Sequence, residues 1–258
     1  MTQFFHIILY QPIFNIFVGL YDLIPDAGVV ILIITIVIRL ALYPMTNKSI
    51  KAQQSMQSLQ PKMEEIKLKY KDDKQKQTQA IMELYKNNKV NPMGSCLPML
   101  IQLPILIALY MVLRDGLASN NLAGNLYSFI PNPGKINVLS LGWLDLAKPN
   151  VVLAVLAGIA QFLQAKTMLR KPAPKQAGSG AKDENMMAMM NKQMLYFMPA
   201  FTVIIGISLP AGLTLYWFLG TVLMALQQVW LNKKKDEEGG NISGSQKDQK
   251  VIEGKVVN

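Results

Sequence analysis

Apolar residues in this chain are grouped in long blocks, and polar residues are concentrated in the segments between them. A hydrocarbon core of about 30 Å takes roughly 20 apolar residues in an α-helix, and each block reaches or approaches that length. The two-residue alternation of a membrane β-barrel is absent from the sequence. The pattern therefore predicts an all-α polytopic membrane protein with five transmembrane helices. Their predicted bounds are 27–45, 94–113, 151–163 with 164–169 added for length, 194–209 and 213–231.

Lysine and arginine fall in alternate connections between these blocks. Residues 1–26 contain none and residues 114–150 contain three, whereas residues 46–93 contain ten and residues 166–192 contain six. Six more follow residue 231. Basic residues are retained on the cytoplasmic side during insertion, so the N-terminus is predicted outside and the C-terminus inside.

The first 26 residues form a separate case. They have neither the basic start nor the small-residue cleavage site of a secretory signal. His6, Gln11 and Asn15 interrupt the apolar pattern, which favours an amphipathic helix that lies on the outer membrane face. A sixth transmembrane span is the alternative for this segment.

The connection with ten lysines, residues 46–93, has a helical pattern of its own. Apolar side chains recur every three or four residues in 56–70 and again in 81–85. Asp72 and Asp73 lie between the two stripes, where they are suited to cap the second helix. The pattern predicts a cytosolic helical hairpin. It is either a solvated connection between two spans or a basic platform for anionic lipids, ribosomal RNA or a partner protein.

The chain is thus expected to have three parts: an interfacial helix (1–26), a five-span core that includes the hairpin (27–231) and a disordered cytosolic tail (232–258). Six methionines lie between Met186 and Met198, before and within the fourth predicted span. Flexible thioether side chains suit either a cytosolic entrance for varied apolar segments or ordinary core packing.

Candidate catalytic chemistry is scarce. With one cysteine and one histidine, the sequence predicts no internal disulfide and no metal cluster. No tract resembles a phosphate-binding glycine loop or a nucleophile elbow. The chain is therefore expected not to be an enzyme and to need no cofactor or metal.

Arg39 is the one charged residue of the first predicted span. Insertion scales put an arginine at a helix centre at roughly 2.5 to 3.5 kcal/mol, and none of the five predicted spans contains Asp or Glu. Arg39 lies about 9 Å from the cytosolic end of its span, at 1.5 Å per residue. Either the guanidinium snorkels to lipid phosphates or it stands in a hydrated cavity open to the cytosol.

Polar residues in the other spans favour the cavity. In the second span Gln102 lies between Pro98 and Pro104, and each proline removes an amide donor, so this helix is predicted to bend. A proline at position 61 likewise predicts a kink or break in the first helix of the hairpin. The residues expected to share one polar chamber are Thr35, Arg39, Gln102, Gln161, Gln164, Tyr216 and Trp217.

Four stretches resemble the core motifs of the YidC family of membrane protein insertases. They are "IVIRLALYPMT", "SLQPKMEEIKLKYKDDKQK", "LYKNNKVNPMGSCLPMLIQLPILIALY" and "FMPAFTVIIGISLPAGLTLYW". They occur in the family's order, and the resemblance extends over residues 20–230. It implies a protein of the bacterial plasma (inner) membrane that moves hydrophobic segments from the cytosol into the bilayer without nucleotide hydrolysis.

The same resemblance implies a hydrophilic groove lined by Arg39, Thr35 and the aromatic at Tyr216 or Trp217, with the three glutamines as further lining. It also implies nascent membrane proteins and lipids as partners, and the ribosome and the Sec translocon as further candidates. DNA is not expected, and the protein is expected to be a monomer. The motifs are similar to the shorter five-span form of the family, which has no large periplasmic domain.

Two other functions remain open from the residues alone. A small transporter or channel would use the same chamber, with Arg39 serving an anion because the predicted spans contain no Asp, Glu or His. A passive assembly scaffold is the third class.

Overall fold

The structure is a computed structural model that describes residues 3–91, 93–118, 122–168 and 193–253. The methionines from Met186 to Met190 lie outside the described residues, and so do the side chains of 93, 95–99, 118, 123 and 234–253. The described helices are α1 Gln3–Leu23, α2 Ala27–Ser58, α3 Gln60–Lys69, α4 Lys74–Asn87, α5 Met93–Ala118, α6 Val151–Met168, α7 Gln193–Gly206 and α8 Ala211–Glu253.

A small antiparallel β-hairpin lies between α5 and α6. Strands β1 Leu139–Ser140 and β2 Leu144–Asp145 pair with Leu139 opposite Asp145 and Ser140 opposite Leu144. A short 3₁₀ turn, Ala123–Asn125, precedes the hairpin. The end of the helix bundle that carries these elements is called the β-hairpin end below, and the opposite end, with α3 and α4, the helical-hairpin end.

Within the part of the chain that the structure describes, five helices are long and apolar enough to cross a membrane, as the sequence predicted, but the set differs by one member. α1 qualifies, whereas α7, which covers the predicted fourth span, is a shorter apolar helix. α7 ends at Gly206, and α8 begins directly after Pro210, which lacks an amide hydrogen. α1 is long enough to be the sixth span that was the alternative for this segment. The interfacial position of residues 1–26 stays a prediction. The five qualifying segments are Gln3–Leu23, Ala27–Ser58, Leu100–Leu117, Val151–Met168 and Ala211–Lys233.

The expectation that no span contains an acidic residue needs correction, because the qualifying segments include Asp22 near the end of α1 and Asp115 in α5. The apolar part of α5 extends beyond the predicted end at residue 113 to Leu117, and it includes Arg114 and Asp115. The Tyr10 hydroxyl donates to Asp115 Oδ2 over 2.9 Å, and Arg114 Nε lies 2.9 Å from Asp115 Oδ1. The described partners of this carboxylate are therefore at the β-hairpin end and do not include Arg39.

The first predicted span continues without a break into the helical-hairpin end. α2 has 32 residues and runs through Pro44 to Ser58. The chain then breaks at Leu59, and Pro61 lies in the first turn of α3, where a missing amide hydrogen costs no helical hydrogen bond. The break expected at Pro61 is confirmed, and it falls two residues earlier.

α3 and α4 form the predicted helical hairpin. The Asp73 carboxylate caps α4 by accepting a hydrogen bond from the Lys76 amide over 3.0 Å. Met63 is buried between the two helices, and the Tyr85 hydroxyl lies 3.1 Å from its sulfur. The apolar stripes read from the sequence thus face each other.

The packed core is concentrated at the β-hairpin end. On α2, residues at helical spacing are buried from Ala27 to Thr35, none is fully buried in 36–45, and burial resumes at Thr46. The stretch without full burial includes Arg39. The core is built from Tyr10, Phe14, Phe17, Val18 and Tyr21 of α1, Val30, Ile31 and Ile34 of α2, Leu109, Val112 and Leu113 of α5, and Leu213 and Tyr216 of α8.

Two further predictions concern helix continuity. α5 is a single helix through both Pro98 and Pro104, and the bend expected there stays a prediction. α8 extends to Glu253, and disorder of the tail 232–258 stays a prediction. No proline follows Pro210, and extending an existing helix avoids the cost of nucleation.

Candidate functional site

Arg39 extends from the incompletely buried stretch of α2 toward α8. Its Nη1 atom lies 3.8 Å from the sulfur of Met224. A Cβ atom added at Gly220 would lie 2.7 Å from Nη2 and 3.4 Å from Nε of Arg39. The guanidinium is therefore packed against the backbone of α8 at a position that has no side chain.

Tyr216 and Gln102 join this contact to a third helix. Tyr216 is only 1% exposed and lies one turn before Gly220, on the same face of α8. Gln102 Nε2 on α5 donates to the Tyr216 hydroxyl over 2.7 Å, and Tyr216 is close enough to Arg39 for the two side chains to interact electrostatically. We call Arg39, Gln102, Tyr216, Gly220 and Met224 the Arg39 cluster.

Arg39 is in none of the ion pairs found within the described residues. These pairs join Lys76 to Asp73, Arg114 to Asp115 and Lys148 to Asp145. A guanidinium has five N–H donors, and the hydrogen-bond partner of Arg39 among the described residues is a thioether, which is a weak acceptor. The side chain is half-buried, so the remaining donors require water or an incoming acceptor.

Thr35 and Trp217 lie outside the Arg39 cluster. Thr35 is fully buried, and its hydroxyl donates to the Ile31 carbonyl of its own helix over 2.6 Å. It closes the packed part of α2 one turn before Arg39. Trp217 is half-buried and follows Tyr216 directly, so it projects about 100° around α8 from that side chain.

The two glutamines of α6 also have a different environment. Gln161 Oε1 accepts a hydrogen bond from the Thr202 hydroxyl and so joins α6 to α7. Gln164 is half-buried, and its backbone carbonyl accepts a hydrogen bond from the Thr167 hydroxyl over 2.7 Å. Of the seven residues expected to share one chamber, the described contacts therefore bring together Arg39, Gln102 and Tyr216.

Gly220 and Met224 were missed by the sequence analysis. They follow Tyr216 at intervals of four residues, so the helical period alone places all three on one face of α8. This signal was available in the sequence. What the sequence lacked was a reason to prefer this face over the neighbouring one that carries Trp217.

Carboxamide side chains form a polar seam between α2 and α8 on the helical-hairpin side of Arg39. Gln227 Nε2 donates to Asn47 Oδ1 over 2.6 Å, and Gln54 Nε2 donates to Asn232 Oδ1 over 2.7 Å. A cavity of about 30 Å³ lies beside the seam, and this space is large enough to hold an ordered water. Its lining consists of Ile50, Gln53, Gln54, Gln57, Thr167, Met168, Gln228 and Asn232.

Gln228 gives this cavity its polar character. The side chain is 2% exposed, and its Oε1 accepts from the Thr167 hydroxyl over 3.0 Å. Its Nε2 is buried with no hydrogen-bond partner among the described residues. A buried amide donor beside a cavity of this size is a suitable site for an ordered water.

The described residues contain no group of three or more metal-ligating side chains. Comparison with known proteins gives the family. Residues 19–238 match the family described as 60Kd inner membrane protein. The chain belongs to this family. It is a multi-pass protein of the bacterial plasma membrane, in agreement with its five long apolar helices.

The relatives carry the name expected from the motifs. The chain is 39% identical over 209 residues to the membrane protein insertase YidC of Fusobacterium nucleatum, covering 80% of this chain and 86% of the relative. It is 33% identical over 225 residues to YidC of Geobacter metallireducens, covering 87% of this chain and 37% of that protein. Similarity to the YidC family is thereby confirmed, and the chain spans little more than a third of the longer relatives.

A solved structure agrees. An active YidC insertase with its first transmembrane domain resolved aligns with a TM-score of 0.58 and 28% sequence identity. The alignment covers 87% of this chain and 46% of that one.

Proposed function

We propose that this chain is a membrane protein insertase in which Arg39 lines a hydrated groove reached from the cytosol. The observation that carries the proposal is the position of Arg39 directly after the packed part of α2, half-buried and without a carboxylate partner among the described residues. The names of the relatives support the same function.

The charge of Arg39 favours substrates with acidic flanks. At an effective dielectric constant of 20, two unit charges 4 Å apart interact by about 4 kcal/mol. A fixed guanidinium in the groove therefore lowers the free energy of an acidic polypeptide flank that has left bulk water. Because the proposed groove holds water, the polar flank of the substrate also has a shorter hydrocarbon path to cross than it would in an undisturbed bilayer.

The neighbouring surface of α2 provides an exit to lipid. Val37 and Leu40 lie within two positions of Arg39 in sequence and are 52% and 66% exposed. An apolar segment that enters beside Arg39 thus meets apolar side chains facing the bilayer. Burial of apolar area, at ~25 cal/mol per Å², supplies the driving force, so the step requires no nucleotide hydrolysis.

The distribution of packing supports an asymmetric groove. Aromatic side chains of α1 and apolar residues of α2 and α5 fill the β-hairpin end, whereas carboxamides line the helical-hairpin end. With the ten-lysine connection in the cytosol, the packed end faces outward and the polar end faces inward. This orientation has the N-terminus outside and the C-terminus inside.

The proposal is tested by insertion of model substrates into proteoliposomes. Arg39→Ala is expected to impair substrates with acidic translocated tails and to spare those with neutral tails, while Arg39→Lys retains activity because it keeps the charge. Lys51→Ala is the matched control, since Lys51 is an exposed cation on the same helix outside the predicted span.

Equal insertion of acidic substrates by Arg39→Ala and the unsubstituted protein would contradict the proposal. Anion flux through the purified protein in sealed vesicles, abolished by Arg39→Ala with no effect on insertion, would favour a transporter instead. Partners proposed for the insertase are nascent membrane proteins and lipids, with the ribosome and the Sec translocon as recruiting partners of a monomer.

A further inference from the structure

The tip of the β-hairpin exposes large apolar side chains. Leu141 is 68% exposed and Trp143 is 72% exposed, whereas Ser140 and Leu144 on the opposite side of the hairpin are 2% and 8% exposed. Leu141 and Gly142 have φ values of 52° and 79°. Glycine and asparagine are the usual residues at such positive φ values. Leucine at position 141 is therefore disfavoured by its backbone conformation, and contact of its side chain with water would disfavour it as well.

The hairpin is fastened to the first turn of α2 by one carboxylate. Asp26 Oδ1 accepts from the Ser140 hydroxyl over 2.6 Å, and Oδ2 accepts from the Leu141 amide over 2.7 Å. The same Oδ1 caps α2 by accepting from the amide of Gly28 over 2.9 Å. A Cβ at Gly28 would overlap Ser140, so the close approach depends on glycine there. The position of the tip relative to α2 is therefore fixed.

The segment that follows the hairpin is fastened to a second span. The Ala211 amide donates to the Lys148 carbonyl over 2.9 Å, and the Gly212 amide donates to the Leu146 carbonyl over 2.9 Å. These bonds satisfy two free amides in the first turn of α8. The hairpin is thus held at the ends of two membrane-spanning helices at once.

This attachment sets the level of the tip in the membrane. Asp26 caps the helix whose apolar span begins at Ala27, so the bonded hairpin lies where hydrocarbon gives way to headgroups. Tryptophan is enriched at that boundary because its ring is apolar and its indole N–H needs a polar partner. Two further apolar residues in the first turn of α6, Val151 and Val152, are 63% and 69% exposed.

We infer that the tip of the β-hairpin, Leu141 and Trp143, is inserted into the lipid surface at the boundary of headgroups and acyl chains. Its occupant is the bilayer itself, because the tip exposes apolar side chains and is held by hydrogen bonds at the ends of two apolar spans. The Asp26 carboxylate holds this anchor at a fixed depth relative to α2. The inference does not depend on the proposed function.

Fluorescence of Trp143 in proteoliposomes tests the anchor. Replacing Trp217 and Trp230 with phenylalanine leaves Trp143 as the only tryptophan of the full chain. The probes are phosphatidylcholines brominated near the headgroup or near the chain end, and iodide in the water. We expect a blue-shifted emission that loses most of its intensity with shallow bromines, less with deep ones and little with iodide.

Quenching by iodide without quenching by bromolipids would overturn the inference, because the tip would then face water. Absence of quenching by either probe would also overturn it, because the tip would then be covered by protein. The same chain with Trp143→Phe supplies the blank.

The role of Asp26 has its own matched pair. Asp26→Asn is expected to reduce the difference in Trp143 quenching between shallow and deep bromines. Asp22 is an exposed carboxylate at the end of α1, and Asp22→Asn is expected to leave this difference unchanged. An unchanged depth profile in Asp26→Asn would show that the Asp26 carboxylate does not fix the depth of the hairpin tip. Circular dichroism of both variants checks that the helices remain folded.

Discussion

The Nη2 atom of Arg39 on α2 occupies the space that a side chain at Gly220 of α8 would need, 2.7 Å from the position of an added Cβ. The nearest atoms all belong to the end of a long flexible side chain. Gly220→Ala is therefore expected to displace the guanidinium and leave the packing of the two helices nearly unchanged. Insertion of substrates with acidic tails should fall, while the thermal stability in detergent should change little.

The matched control is Gly124→Ala, where an added Cβ meets no atom within 4 Å. It adds the same methyl group outside the Arg39 cluster and should leave insertion unaffected. Full activity of Gly220→Ala on acidic substrates would mean that the contact between Arg39 and Gly220 has no role in insertion.

Removal of the Tyr216 hydroxyl tests the hydrogen bond between α5 and α8. In Tyr216→Phe the half-buried Gln102 amide loses its acceptor, and a typical hydrogen bond contributes about 0.5–1.5 kcal/mol to stability. The free energy of unfolding should fall by that amount. Adding Gln102→Leu should recover part of the loss, because it removes the unsatisfied amide, and a double-mutant cycle measures the coupling.

Tyr196→Phe serves as the comparison for this substitution, since Tyr196 is 61% exposed. Its loss of a hydroxyl should cost little. If both phenylalanine variants were equally stable, the hydrogen bond to Gln102 would contribute nothing measurable.

The hydrogen bonds between Asp26 and the β-hairpin should depend on pH. Burial acts to raise the pKa of Asp26, but hydrogen bonds from Leu141, Ser140, Val29 and Gly28 outweigh it and hold the pKa below its usual value. The folded form binds this proton less tightly than the unfolded form, so the stabilisation is full above about pH 4 and is lost as pH falls through the lowered pKa. The protection factor of the Leu141 amide, the exchange rate of an unstructured peptide divided by that of the amide at the same pH, should therefore fall in acid.

Asp145 titrates in the same direction, because its hydrogen bond with Lys148 lowers its pKa as well. The Asp26→Asn variant separates the two groups. The protection factor of the Leu141 amide should be low at all pH values in this variant, and an acid-dependent loss of protection that persisted there would assign the effect to Asp145.

Deletion of the helical hairpin tests recruitment. Because Gln54 and Gln57 of α2 bond to Asn232 and to the Met168 carbonyl, the deletion should begin at residue 59 and end at residue 88, joined by a short glycine-serine linker. Co-sedimentation with translating ribosomes should weaken while the spans remain inserted. Unchanged co-sedimentation and unchanged insertion would leave the hairpin as a mere connection.

The sequence alone determined the features that depend on composition and short-range pattern. Long apolar blocks, the alternation of basic connections, the stripes of α3 and α4 and the single arginine of the first block each follow from hydrophobicity or helical period. The N-cap at Asp73 and the break near Pro61 were found for the same reason, since both are local backbone chemistry.

Only the tertiary structure decided which polar residues meet. Gln102 and Gln161 looked equivalent in sequence, yet one bonds Tyr216 in the Arg39 cluster and the other bonds Thr202 on α7. Rotation of each helix about its axis and the choice of its neighbour arise from packing of whole helix faces, which no single segment encodes. The same applies to Asp26, whose bonds to Ser140 and Leu141 join residues more than a hundred positions apart.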